Sequence, residues 1–376
     1  MVYIVQDCGA TTFVSSATFA DKAAEIMARV PGITLRPAFG GAITGFDDYE
    51  AALATASDMP FETQPAGLDM QHTSGITGVP QGDRAPLPAR QVTEPGDLMV
   101  AVFAPIFGFD EDTVYLSPAP PYHAAPLRFG GLIHAMGGTD VVMSQFEPMA
   151  VLGYIEEDRV AYSQWVPTMF VRMLKLTEEE RAADDLSSMR VAVHAAAPCP
   201  VDVKQQMIDQ WGPILHDYYA ASAGITLIRS EDWLTHPGSV GRAGLGILHV
   251  CDEGDPDQGF LCLTDRRAFM IILGGVNIYP QEVENALTMH PAVYDMAVIG
   301  IPDPEMGEQV KAVVQVAVGV EATDALAADL IAHVKGRIVH YKAPRSVDFV
   351  GSLPRSATGK MAKGKLRQRY RDTAGS

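Results

Sequence analysis

Residues 70–84 read MQHTSGITGVPQGDR, a stretch in which hydroxyls on Thr73, Ser74 and Thr77 alternate with Gly75, Gly78 and Gly82. Glycine lets backbone N–H groups converge on an anion without a Cβ in the way. The types and spacing are those of a loop that grips phosphate. Phosphate-binding loops commonly place a lysine near their end; here Gln81 holds that place.

Other stretches carry chemistry too. They are PPYHAAPL at 120–127, VAVHAAAPCP at 191–200, HDYYAASAG at 216–224, LTDRRAFMIILGGVNIYPQEVEN at 263–285 and PRSATGKMAKGKLR at 354–367. Taken alone, AASAG at 220–224 imitates a nucleophile elbow with Ser222 as the nucleophile. That reading needs a His and an acid within reach. His194 and His216 read as satisfied structural histidines rather than ligands. Met136, Met143, Met149, Met169 and Met173 read as core or pocket filler.

The elements that must position these residues follow from periodicity. A β-like run is expected in the first fourteen residues, then a helix through FADKAAEIMARV that stops at Pro31-Gly32. DTVYLSPAP, GTDVVMSQF and MRVAVHAAAP read as strands; EPMAVLGYIEED, PTMFVRMLKL and PVDVKQQMIDQWG read as helices. Alternation of this kind predicts an α/β fold, a large mainly parallel-sheet body with its ligand loops at the strand ends. From Ala268 the pattern changes. PQEVENALTMH and ATDALAADLIAHVKGRIV predict helices, and DMAVIGI and KAVVQVAV predict strands, of a small C-terminal α+β domain. The expected division is 1–267 and 268–376.

Composition narrows the partners. The net charge is −18, yet residues 340–376 hold nine Lys/Arg against two Asp, leaving −25 on the rest. So acidic a body argues against a nucleic-acid ligand. Cys8, Cys199, Cys251 and Cys262 show no C-x-x-C spacing, which fits reduced thiols in a cytoplasmic protein. MVYIVQDCGATTFV lacks the basic start of a signal peptide, and no apolar run is long enough for a membrane span.

In their order along the chain, these motifs closely resemble the AMP-forming acyl-CoA synthetases of the adenylate-forming superfamily. The resemblance runs through nearly the whole chain and is densest over 263–310. It implies a large body with a small C-terminal domain that swings over the active site. It also implies a reaction in which ATP activates a carboxylic acid, a fatty acid by the family's habit, to an acyl-adenylate and coenzyme A then takes the acyl group. Carried over, Thr73, Ser74, Gly75, Thr77 and Gly78 would hold ATP phosphates. Ala196, Ala197 and Pro198 would wall the adenine pocket, Tyr219 would stack on the ring, Ser222 would bind phosphate and Arg266 would reach the ribose. His123 would gate the passage between acyl and nucleotide pockets, with plain packing as the alternative reading. Gly274, Gly275 and Asn277 would face coenzyme A, and Lys360 would bridge carboxylate and α-phosphate.

Four departures from the family pattern stand out. Gln81 replaces the loop lysine. Ala223 replaces a glutamate that helps hold Mg²⁺, and alanine cannot ligate a hard cation; the Mg²⁺ site is expected to be weakened. The stretch from Cys251 to Gly259 is short and omits the ribose-gripping aspartate, with Asp255 the nearest substitute. Met1 aligns inside the family pattern, so a partner chain or a second copy is expected to cover the sheet face left open on that side. Two readings stay open: a carboxylate–CoA ligase, and a non-catalytic binder of acyl, CoA or nucleotide groups acting through a partner.

Overall fold

The computed structural model describes all residues except 74–80, 222–223, 246–258, 264–268, 356–360 and 375–376. The chain forms two compact units, Met1–Asp97 and Leu98–Ser376.

In the first unit the expected β-like start is instead a helix, Val2–Asp7. Val2 and Val5 lie three apart on one side of it, and Val5 is buried with Ile26, Val30 and Ile33 beside helix Ala20–Arg29. Burying that stripe outweighs the strand preference of β-branched residues, which is a weak local bias. A short parallel sheet follows, in the order Ser15–Ser16, Pro37–Phe39, Asp47–Asp48. Gln71–Thr73 and Gln81–Asp83 then pair as a two-stranded antiparallel ribbon.

The second unit is built on a seven-stranded sheet ordered Arg242–Leu245, Gly224–Ile228, Leu215–Ala221, Val191–His194, Tyr162–Trp165, Val114–Ser117, Thr139–Val142. The last five are mutually parallel, Gly224–Ile228 runs antiparallel to its neighbour Leu215–Ala221, and Arg242–Leu245 runs antiparallel to Gly224–Ile228. Residues Val191 and Val193 face helices Leu98–Phe107 and Ala124–Met136 in a largely aromatic layer. Ala192 and Leu215 face helices Pro148–Glu157, Pro167–Leu174 and Val201–Trp211 on the other side. A parallel sheet buried on both faces is the mainly parallel body that the strand–helix alternation predicts.

Later in the same unit comes the small α+β region. Its five-stranded sheet comprises Ile271–Leu273, Val276–Ile278, Val293–Asp303, Gly307–Val316 and Ser346–Phe349. Helices Pro280–Thr288 and Asp324–Lys335 pack on one face of it, and Leu366 of helix Lys363–Ala374 packs on the other with Ala297, Ile299 and Val313. Lys175, just past helix Pro167–Leu174, donates to the Val293 carbonyl at 2.6 Å. Cys8, Cys199 and Cys262 are free thiols. Among the described residues, no helix is long and apolar enough to cross a membrane.

Candidate active site

Strand Val191–His194 ends at the sheet's carboxyl edge, where loops of open α/β sheets gather ligands. The chain turns there through Ala196, at φ +74°, a left-handed conformation that a residue with a Cβ adopts only where the surroundings hold it. Ala197 and Pro198 follow. The neighbouring strand Leu215–Ala221 runs parallel, pairing Asp217 with His194. Two residues past that pair come Ala196 on one chain and Tyr219 on the other. Tyr219 is 41% exposed, an aromatic ring left open on a strand end. The four residues assigned to the adenine pocket therefore sit at one edge of the sheet.

A polar cluster lies behind this edge on the same face of the strand as Tyr219. Lys204 of helix Val201–Trp211 is fully buried, with its Nζ 3.6 Å from Asp217 Oδ2 and 5.0 Å from the centre of the Trp233 ring. Asp217 Oδ1 lies 3.7 Å from His194 Nδ1. Burial pushes the Asp217 carboxyl up to about 6, against the pull of Lys204. Burial also draws the Lys204 ammonium below its ordinary range, holds His194 neutral and lifts the Cys199 thiol to about 12. His194 is not satisfied as expected: neither ring nitrogen has a hydrogen-bond partner among the described residues, nor does Nδ1 of His216. Burial lowers His216 to about 4. A cavity of about 290 Å³, lined by Pro198, Cys199, Lys204, Asp217, Tyr279 and Asn285 among others, opens beside the cluster. The sequence did carry a signal for Lys204. It falls in the 204–207–208–211 stripe of its helix, which is apolar otherwise.

His123 occupies the N-cap position of helix Ala124–Met136, with its ring centre 4.6 Å from that of Tyr122. It is half-buried, at the start of the helix that covers the aromatic face of the sheet.

Gly274 and Gly275 form the two-residue turn between Ile271–Leu273 and Val276–Ile278, at φ +56° and +86°. Two consecutive positive φ angles are what a tight hairpin of this hand requires, and glycine supplies them at least cost. Gly274 N–H donates to the Met306 carbonyl at 2.8 Å, and Gly274, Gly275 and Asn277 are all exposed at the hairpin tip.

The phosphate-type loop belongs to the first unit, and its flanks are described. Thr73 pairs with Gln81 and His72 with Gly82. His72 Nε2 lies 2.8 Å from Asp7 Oδ2, joining the ribbon base to the end of the N-terminal helix. A Cβ at Gly82 would fall 2.4 Å from Met70 Cε and 2.7 Å from Asp7 Oδ2. A side chain there would have to push the ends of Met70 and Asp7 aside. Ser74, Gly75, Thr77, Gly78, Ser222, Arg266 and Lys360 lie outside the described residues, as do Ala223 and Asp255.

The hydrolase alternative fails on topology. Leu215–Ala221 and Gly224–Ile228 are antiparallel partners, with Ala221 opposite Gly224. Strands lie on both sides of residues 222–223, whereas a nucleophile elbow is followed by a helix.

Comparison with known proteins agrees with this architecture. The AMP-binding enzyme family matches residues 1–263, and the AMP-binding enzyme C-terminal domain matches 282–360. A feruloyl-CoA synthase from Amycolatopsis sp is 31% identical over 374 residues, covering 85% of this chain and 73% of the relative. A medium/long-chain-fatty-acid–CoA ligase from Mycobacterium tuberculosis is 28% identical over 382 residues, covering 87% of this chain and 65% of the relative. Among solved structures, the amide bond synthetase McbA from Marinactinospora thermotolerans shares the fold. Its TM-score is 0.72 at 24% identity, covering 99% of this chain and 82% of that one.

Proposed function

The chain belongs to the AMP-binding enzyme family, and from that premise we propose that it is a carboxylate–CoA ligase. The carboxylate of an organic acid, a fatty acid among the candidates, attacks the α-phosphorus of ATP. The bond to pyrophosphate breaks and an acyl-adenylate forms. The thiol of coenzyme A then attacks the acyl carbon, and AMP leaves as thioester forms. Mg²⁺ arrives as part of the MgATP substrate. The body is read as 1–267 and the mobile domain as 268–376, acting in the cytoplasm.

One observation carries the reading: the exposed Tyr219 ring stands at the same sheet edge as the left-handed turn at Ala196 that leads into Pro198. A purine ring needs a flat apolar partner and a backbone wall, and stacking is sequence-independent chemistry that any adenine can use. In the proposed roles, the Thr73–Gly82 loop and Ser222 hold phosphates and Arg266 meets the ribose. His123 separates acid from nucleotide, and Lys360 offsets the charge that develops at phosphorus. Gly274, Gly275 and Asn277 replace Lys360 at the site when the small domain turns, admitting the thiol.

The binder reading keeps its place because of Gln81 and Ala223, which remove a cation and a hard-metal ligand where the outer phosphates of ATP would lie. AMP needs neither group. Calorimetry should therefore show AMP bound at least as tightly as MgATP. Restoring Gln81→Lys and Ala223→Glu together should raise MgATP affinity over AMP affinity by about tenfold or more, the worth of one or two charge-assisted hydrogen bonds. Tight MgATP binding and turnover in the unmodified chain would overturn the claim that these departures weaken the phosphate site.

A further inference from the structure

Strand Leu215–Ala221 presents alternate residues to opposite faces of the sheet. Tyr219 shares a face with Asp217, the side of the proposed nucleotide pocket. Tyr218 and Ala220 point to the other side, the face covered by the helix that His123 begins. An acid joined to the nucleotide's phosphate and passing His123 extends toward that second face. Small residues stand at its mouth: Ala220 is exposed, and Ala124 and Ala125 are half-buried.

One residue deeper the space closes. Tyr218 is 7% exposed and Phe129 1%, their rings stacked at 6.1 Å. Phe103 lies 6.1 Å from Tyr218 and 5.4 Å from Phe129, and Tyr115 stacks on Phe129 at 6.2 Å. Gln164 reaches across the intervening strand, and its Nε2 donates to Tyr218 Oη at 2.8 Å inside the buried layer. That bond fixes the ring that stands two residues before Ala220 on the same face of the strand. Close-packed aromatic rings leave no channel for a flexible chain, and a buried side chain held by a hydrogen bond does not swing aside without exposing unpaired polar atoms.

We infer that Tyr218, held by Gln164, is the floor of the acid pocket and restricts this chain to compact acids, short-chain or single-ring, excluding long-chain fatty acids. The inference rests on the ligase reading and narrows its substrate class.

The test uses acyl-sulfamoyl-adenosines, non-reactive mimics of the acyl-adenylate, titrated into the full chain by calorimetry. The butyryl and benzoyl compounds should bind at least about a hundredfold more tightly than the hexadecanoyl compound, the scale on which pocket shape discriminates apolar groups. Tyr218→Ala, or the milder Tyr218→Leu, should shrink that ratio about tenfold or more, whereas Tyr218→Phe keeps the ring and should retain most of it. AMP titrated into each variant reports whether the fold has survived. Equal or tighter binding of the hexadecanoyl compound to the unmodified chain overturns the inference, as does an unchanged ratio in a folded Tyr218→Leu chain. Failure of AMP and of every mimic to bind the unmodified chain overturns the ligase reading itself, and the pocket assignment with it.

Discussion

Replacing Glu284 with alanine is expected to destabilise the C-terminal α+β region by about 3–5 kcal/mol, the usual consequence of stranding one partner of a buried ion pair. Glu284 and Lys363 are 8% and 9% exposed, with Lys363 Nζ 2.8 Å from Oε1 and 2.9 Å from Oε2. The same carboxylate accepts from the Val298 N–H at 2.7 Å. One side chain thus ties helix Pro280–Thr288 to the strand Val293–Asp303 and to the first residue of helix Lys363–Ala374. Without it, a buried ammonium and a buried amide both lose their acceptor. The double variant Glu284→Leu with Lys363→Met should recover most of the loss, because apolar replacement of both partners removes the desolvation cost as well. Trp165, Trp211 and Trp233 all precede residue 268, so tryptophan fluorescence would not report on this region. Hydrogen exchange of peptides from 280–370, followed in urea, would. A loss below about 1 kcal/mol, typical of an exposed pair, contradicts the assignment.

The second large effect concerns Lys360. Lys360→Ala should lower the rate of acyl-adenylate formation by at least about 10²–10³-fold, the cost of deleting one preorganised charge at a developing anion. Transfer of the acyl group from a preformed acyl-adenylate to coenzyme A should be spared. The reason is that Lys360 and the Gly274–Gly275 hairpin are proposed to serve the site in different poses of the small domain. The flanks of residues 356–360 are well anchored. Arg355 pairs with Met361, Ala362 N–H donates to the Pro354 carbonyl at 2.9 Å, and Arg355 forms an ion pair with Asp295. Lys363, three residues on, is held by Glu284. Measuring the two half-reactions separately, by adenylate trapping and by thioester formation, checks the split. Equal loss of both would remove the two-pose assignment.

Much of this was legible in the sequence because the main elements carry their own periodicity. VYLS, VAVH and DMAVIGI became buried strands, and the apolar stripe of PVDVKQQMIDQWG became the buried side of helix Val201–Trp211. The N-terminal helix was not legible, since its β-branched residues favour a strand locally and only burial beside Ile26 and Ile33 decides otherwise. The burial of Lys204 went unread, although its position on an otherwise apolar stripe was a visible signal. The Gln164–Tyr218 bond could not be seen at all. It joins strands two apart in the sheet and 54 residues apart in sequence, and neither residue shows a local pattern. The motifs named the edge where Ala196, Pro198 and Tyr219 gather, but their level along the strands came only from the pairing of His194 with Asp217.

Placement of the nucleotide at that edge is tested most directly by calorimetric titration of AMP into the unmodified chain and into Tyr219→Ala. Tyr219 lies on the exposed strand end, so its loss should leave the buried layers intact. Stacking on one base is worth about 1–3 kcal/mol, and the variant should bind AMP about five- to 150-fold more weakly. Equal AMP affinity in the two chains, or no AMP binding by the unmodified chain, would contradict the placement of the nucleotide at the Ala196–Tyr219 edge.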